Sequence, residues 1–162
     1  MDTHDFVSLY GGIYEHSPWV AACVATEATG VIDASELAEL MAECVDNASS
    51  ERQLALIRAH PDLAGKAQVA GDLTPESTAE QASAGLDHCS KVEYERFQAL
   101  NSAYQEKFGF PFVMAVRDSS REEILEAFAA RLQNDYDLEF ETALTEIHKI
   151  ARLRLDALET PA

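Results

Sequence analysis

Residues 90–116 read SKVEYERFQALNSAYQEKFGFPFVMAV, and this stretch decides what kind of fold the chain forms. Phe97, Leu100, Asn101, Tyr104 and Phe108 recur at intervals of three and four, which lines them along one face of a helix from about Ser90 to Phe108. That helix ends at Gly109, and the strongly apolar FPFVMAV follows. Phe110 is extended, because a residue before proline is pushed out of the α region. One lone strand would have nothing to pair with. Residues 110–116 are therefore expected as a buried extended connector in an all-α domain. Their backbone N–H and C=O groups must find other partners, a ligand among them.

The segments on either side support the same class, since they are amphipathic, separated by short breakers, and almost free of period-two alternation. Ser17 before Pro18 reads as a cap with proline at the first helical position, opening a helix through about Ala28 that ends near Gly30. Asp33 opens the next, with the stripe Leu37, Leu40, Met41, Cys44 and Ala48. A third, from about Ser50 to Ala59, must stop before Pro61, which leaves His60 extended with its ring held at a helix end. A loop from Asp62 to Leu73 holds Gly65 and Gly71, and Thr74 with Pro75 repeats the cap-plus-proline start. From that cap, Ser77, Glu80, Gln81 and Ala84 share one face, with Gly85 and Leu86 near the helix end. Two last helices span about Ser120 to Gln133 and Asp137 to Leu158, joined at Asn134 and Asp135. Phe140, Ala143, Leu144, Ile147, Ile150, Ala151 and Leu158 form the apolar face of the second, and Arg154 lies within that face.

At 162 residues the chain suits a single domain, 1–162, with one core. Apolar residues at 47% and charged residues at 25% argue against disorder and against a membrane protein. No apolar run approaches a spanning helix, and MDTHDFVSLYGG lacks the features of a signal peptide, so the expected location is cytoplasmic. A net charge of −17 with only 12 Lys and Arg makes nucleic acid or an anionic membrane surface an improbable partner. If the substrate is an anion, a local pocket must supply the cations. Cys23, Cys44 and Cys89 form an odd, widely spaced set without CxxC, which argues against a disulfide framework and a zinc knuckle; Cys44 reads as core. His4, His16, His88 and His148 are scattered rather than at metal-ligand spacing, and GxSxG, P-loop and GxGxxG motifs are absent.

Chemistry concentrates in HPDLAGKAQVAGDLTPESTAEQ, 60–81, where His60 precedes a helix face carrying Ser77, Glu80 and Gln81. A His and a Glu that the fold brings together make a proton-transfer pair. A guanidinium on an apolar face needs an anion, because burying it unpaired is costly. Blander readings stand beside these: a structural histidine, a solvated glutamate, and Arg154 paired with an internal carboxylate such as Glu141 or Asp87. Asn101 reads as a structural residue that satisfies backbone groups near the connector.

HPDLAGK at 60–66, LTPESTAEQASAGLD at 73–87, FQALNSAYQEKFGFPFVMAVR at 97–117, RLQN at 131–134 and EIHKIARLRL at 146–155 strongly resemble the 2-oxo-4-hydroxy-4-carboxy-5-ureidoimidazoline (OHCU) decarboxylases of urate degradation. YGGIYEHSPWVA at 10–21 is similar to that family's opening, whereas ACVATEATG at 22–30 departs from the more polar continuation expected there. The resemblance implies an all-α domain that, without a cofactor, converts OHCU to (S)-allantoin and carbon dioxide. It implies that His60 and Glu80 are the catalytic pair. Pro61, Ser77, Gln81, backbone groups around Phe112 and Val113, and an arginine would line the pocket. Arg154 is the arginine carried over, with Arg131 and Arg117 as alternatives in family-like segments. The resemblance further suggests a homodimer.

The chemistry fits those residue types. Loss of carbon dioxide leaves an electron pair that the unsaturated ring of OHCU can accept, after which one face must be protonated. An arginine fork suits the substrate carboxylate, a histidine exchanges protons near neutrality, and hydroxyl and amide groups suit a ureido group. Two other classes stay open: a non-catalytic helical interaction module, and a hydrolase or lyase of a related ureide.

Overall fold

A computed structural model describes residues 2–26, 33–64 and 73–159. Among the described residues there are eight α-helices, a short 3-10 turn and no strand, so the all-α class holds. Packing divides the chain into two compact units: residues 1–60 with 144–162, and residues 61–143.

The first unit holds α1 (Thr3–Tyr10), α2 (Trp19–Val24), α3 (Ala34–Asp46), α4 (Ser50–Arg58) and the C-terminal part of α8 (Tyr136–Glu159). Asp2, Asp33 and Ser49 cap α1, α3 and α4 by accepting a backbone N–H three residues on, which satisfies donors the first turn leaves unpaired. Phe6, Val20, Val24, Leu37, Met41, Val45, Leu56 and Ile57 are buried in this unit, as are Ile147, Ala151 and Leu155 of α8.

Pro18, not Ser17, is the N-cap of α2, and the Ser17 hydroxyl donates instead to the Glu15 carbonyl at 2.9 Å. The helix expected to run through about Ala28 instead ends at Val24, with Ala25 as its C-cap and Thr26 in a turn, while Ala28 to Gly30 lie outside the described residues. Helix α1 was not expected from the pattern, because it buries only Phe6. Along α3, Val45 is buried whereas Leu40 and Cys44 are half-buried, and Ala48 falls beyond the helix end; on α8, Leu155 takes the place expected of Leu158, which is exposed. Cys44 is not simply core: it forms a disulfide with Cys23 of α2. A separation of 21 residues gives no signal in sequence, but packing α2 on α3 brings the two Cα atoms to 6.6 Å, within bridging range.

The second unit contains α5 (Pro75–Ser83), the 3-10 turn Leu86–His88, α6 (Lys91–Phe108), α7 (Arg121–Arg131) and the first turns of α8. Thr74 caps α5 with Pro75 at the helix start, as the sequence predicts. Ser90 with Glu93, and Ser120 with Glu123, make reciprocal capping boxes on α6 and α7. Gly109 closes α6 at φ 75°, a left-handed conformation that favours glycine, and its N–H donates to the Gln105 carbonyl at 2.8 Å.

Residues 111–116 are neither helix nor strand, and Phe110, Phe112, Val113 and Val116 are buried, so the connector is as expected. Its side chains enter an aromatic cluster in which the Tyr104 ring meets Phe108, Phe110, Phe112 and Phe128, and Phe112 stacks on Phe128 at 3.9 Å. A backbone partner for the connector is Arg131, which donates from Nη1 to the Val113 carbonyl at 2.6 Å while its guanidinium lies 4.3 Å over Phe112. Glu139, wholly buried, receives Arg131 at 2.9 Å, Asn134 at 2.9 Å and the Tyr104 hydroxyl at 2.5 Å. Those three donors together hold its carboxyl below the usual range, although burial alone pushes it up.

Candidate active site

His60 follows the last turn of α4, where Pro61 prevents the helix from continuing. Its ring is buried, and its Nδ1 lies 2.9 Å from the Leu56 carbonyl. A carbonyl only accepts, so the Nδ1 carries the proton and Nε2 is the basic nitrogen of the neutral ring. Burial lowers the His60 pKa to about 4; the Leu56 carbonyl and the charge of Glu15 oppose that fall, and the charges of Arg154 and His16 add to it. The imidazole is neutral at pH 7.

Arg154 projects from α8 in the same unit and is buried, as its place on an apolar face requires. Its partner is an internal carboxylate, but neither Glu141 nor Asp87: Nη2 donates to Glu15 Oε2 at 2.8 Å. Nη1 donates to the Gly12 and Ile13 carbonyls at 3.2 Å each. Both side chains of the pair are almost wholly buried, 4% and 1% exposed. The loop between α1 and α2 thus holds the guanidinium through three hydrogen bonds. Glu15 is a residue that the sequence reading missed, because a loop carboxylate in a chain with 29 acidic residues carries no periodic signal.

The other expected site residues belong to the second unit. Ser77 is buried and Glu80 half-buried on α5. Gln81, also buried, spends its amide on the loop after His60: Oε1 accepts from the Ala64 N–H at 3.0 Å and Nε2 donates to the Asp62 carbonyl at 3.3 Å. From α6, Asn101 donates to the Leu63 carbonyl at 3.0 Å and Gln98 to that of Ala64 at 2.8 Å. Asn101 thus satisfies backbone as expected, but that of loop 62–64 rather than of the connector. Three amide side chains from two helices fix this loop, in which Ala64 takes a left-handed φ of 50°. Burial also raises the Asp62 carboxyl pKa. Residues 65–72 lie outside the described residues.

Pro61 is half-buried, and Phe112 and Val113 are buried in the connector, with the Val113 carbonyl taken by Arg131. Arg131 therefore serves the connector and Glu139, and Arg117 is exposed in a turn; of the three arginines, only Arg154 acts on His60 in the first unit. Among the described residues, no group of three or more His, Cys, Asp or Glu is arranged to hold a metal ion. No helix among them is long and apolar enough to cross a membrane.

Comparison with known proteins identifies the family. The family model for OHCU decarboxylase matches residues 1–156. The chain is 48% identical over 155 residues to a 2-oxo-4-hydroxy-4-carboxy-5-ureidoimidazoline decarboxylase of Haloferax volcanii, covering 96% of this chain and 89% of that protein. Among solved structures, it is similar to an (S)-allantoin synthase, with a TM-score of 0.77, 34% identity, and 97% of this chain and 50% of that one covered. It is also similar to an OHCU decarboxylase crystallised in the presence of (S)-allantoin, with a TM-score of 0.70, 26% identity, and 86% and 89% covered. The chain belongs to the OHCU decarboxylase family.

Proposed function

We infer that this protein decarboxylates OHCU to (S)-allantoin and carbon dioxide, the last step of urate conversion to allantoin, as a carbon–carbon lyase. The observation that carries this reading is the family match over residues 1–156, with the HPDL histidine and the SxxEQ glutamate in their motifs at His60 and Glu80. The site geometry supports it: a neutral, buried imidazole in the same unit as a buried guanidinium.

Loss of carbon dioxide from the carboxylate sends its electron pair into the ring C=N bond. The ring nitrogen and the carbon that becomes the allantoin stereocentre therefore each gain a proton while the hydroxyl loses one as it becomes a carbonyl, with a net uptake of one proton from solvent. His60 Nε2, unprotonated at neutral pH, accepts a proton; Glu80 is the second proton-handling group. Arg154 orients the leaving carboxylate, and Ser77, Gln81, Pro61 and backbone groups of Phe112 and Val113 contribute to recognition of the ring and ureido groups. The substrate is the anionic ureidoimidazoline, the protein is cytoplasmic, and a homodimer formed by the single domain 1–162 is its working form.

The test follows the circular dichroism of allantoin as freshly oxidised urate decays, with and without the protein. Optical activity should appear faster only with protein, and His60→Ala and Glu80→Gln should each slow it by roughly a hundredfold or more. Undiminished turnover in either variant would remove that residue from the chemistry. Racemic product at the spontaneous rate with the unmodified protein would remove the activity.

A further inference from the structure

We propose that Glu15 is a positioning residue for this reaction, holding the Arg154 guanidinium in a fixed plane and setting the charge around His60. The proposal rests on the roles given above to Arg154 and His60. Its starting point is the buried pair itself, since a carboxylate 1% exposed against a guanidinium 4% exposed is an expensive arrangement compared with apolar packing.

The loop that carries Glu15 is built around this contact. Its carbonyls at Gly12 and Ile13 both accept from Arg154 Nη1, so the fork is held at both Nη atoms and cannot rotate about its last bond without breaking three hydrogen bonds. The next side chain, Tyr14, is tied independently to α8: its hydroxyl is 2.8 Å from His148 Nδ1, and His148 Nε2 is 3.0 Å from Asp46 Oδ1. Beyond Glu15, His16 takes a left-handed φ of 46°, a conformation that costs a histidine energy and persists only where its surroundings impose it. A loop pinned at 12, 13, 14 and 15, with strain stored at 16, fixes the carboxylate against the guanidinium and leaves neither free to drift.

Pre-organisation of this kind matters for an arginine that must meet a carboxylate, because a fork already fixed loses little freedom when substrate arrives. Glu15 has a second effect through space. The charged and titratable groups facing His60 are Glu15 and His16 from the loop and Arg154 from α8, and Glu15 is the one whose charge favours the imidazolium. Without it, two unfavourable neighbours remain.

The test uses purified full-length Glu15→Gln and Glu15→Asp, with His60→Ala as a control for the underlying reading. Glu15→Gln should raise KM for OHCU about tenfold or more with a smaller change in kcat, and move the acid limb of the kcat/KM profile to lower pH by about half a unit or more. Glu15→Asp, which keeps the charge on a shorter arm, should restore the position of the acid limb while KM stays raised. If Glu15→Gln does not fold by circular dichroism, the KM of Glu15→Asp decides: a value within twofold of the unmodified protein overturns the proposal. So do an unchanged KM and an unshifted profile in a folded Glu15→Gln while His60→Ala is inactive. Full activity of His60→Ala would instead overturn the reading on which the proposal rests.

Discussion

Histidine 60 owes its chemistry to a neighbour on each side. Pro61 ends the helix, and the carbonyl four residues back takes the Nδ1 proton, so the tautomer is set by backbone rather than by another side chain. The lowered pKa has a consequence for stability. Between about pH 6.5 and pH 4 the unfolded chain binds a proton at this position while the folded chain does not, so stability rises with pH across that window and is lost as pH falls through it. The full effect is roughly 3 kcal/mol. Urea unfolding at pH 7.5 and pH 5 should show the loss, and His60→Gln, which cannot titrate, should show a shallower dependence. An equal slope in both proteins would mean that other groups govern the acid limb. At this scale the sequence is half legible. His60 and Arg154 stand out, one by its proline and the other by its apolar face, whereas Glu15 is invisible until the fold pairs it.

Helix boundaries follow from local chemistry and were the most readable features. Asp33, Thr74 with Pro75, Ser90 with Glu93 and Ser120 with Glu123 cap where their side chains can reach the first-turn N–H groups, a matter of three residues of chain. The connector was readable for the same reason, since Gly109 is free to take the left-handed conformation that ends a helix and Pro111 pushes Phe110 out of the α region. Pairings between elements were not. The disulfide joining α2 to α3 is the clearest case, and closing a loop of that length contributes about 3 kcal/mol in the chain-entropy account. Under non-reducing denaturing conditions, thiol titration should find one reactive cysteine, Cys89, and reductant should lower the thermal midpoint of the protein but not of Cys23→Ser. Three reactive thiols in the unreduced protein would exclude the bond.

At the scale of the whole chain the dominant quantity is its charge of −17, with 29 acidic against 12 basic residues. Much of that acidity is exposed, on residues such as Asp5, Glu36, Glu76, Glu95, Glu106, Glu122 and Glu126, so self-repulsion opposes the compact state. Screening shortens from about 10 Å at 0.1 M salt to about 3 Å at 1 M. The thermal midpoint should therefore climb by several degrees as potassium chloride is raised over that range, and a flat or falling midpoint would show that repulsion is not limiting. Three arginines have internal partners: Arg131 holds Glu139 and the connector, Arg121 holds Glu93 and the Gly85 carbonyl, and Arg154 is fixed by Glu15. Composition, periodicity and caps determined the helical class, the position of nearly every helix and the buried connector, because each is dictated by interactions within a few residues. Which carboxylate neutralises Arg154, which carbonyls the amides of Gln81, Gln98 and Asn101 satisfy, and which cysteines meet were decided only by tertiary structure. Those contacts join residues 17 to 142 positions apart, and no local preference encodes which of the many acids, carbonyls or thiols folding will bring within reach.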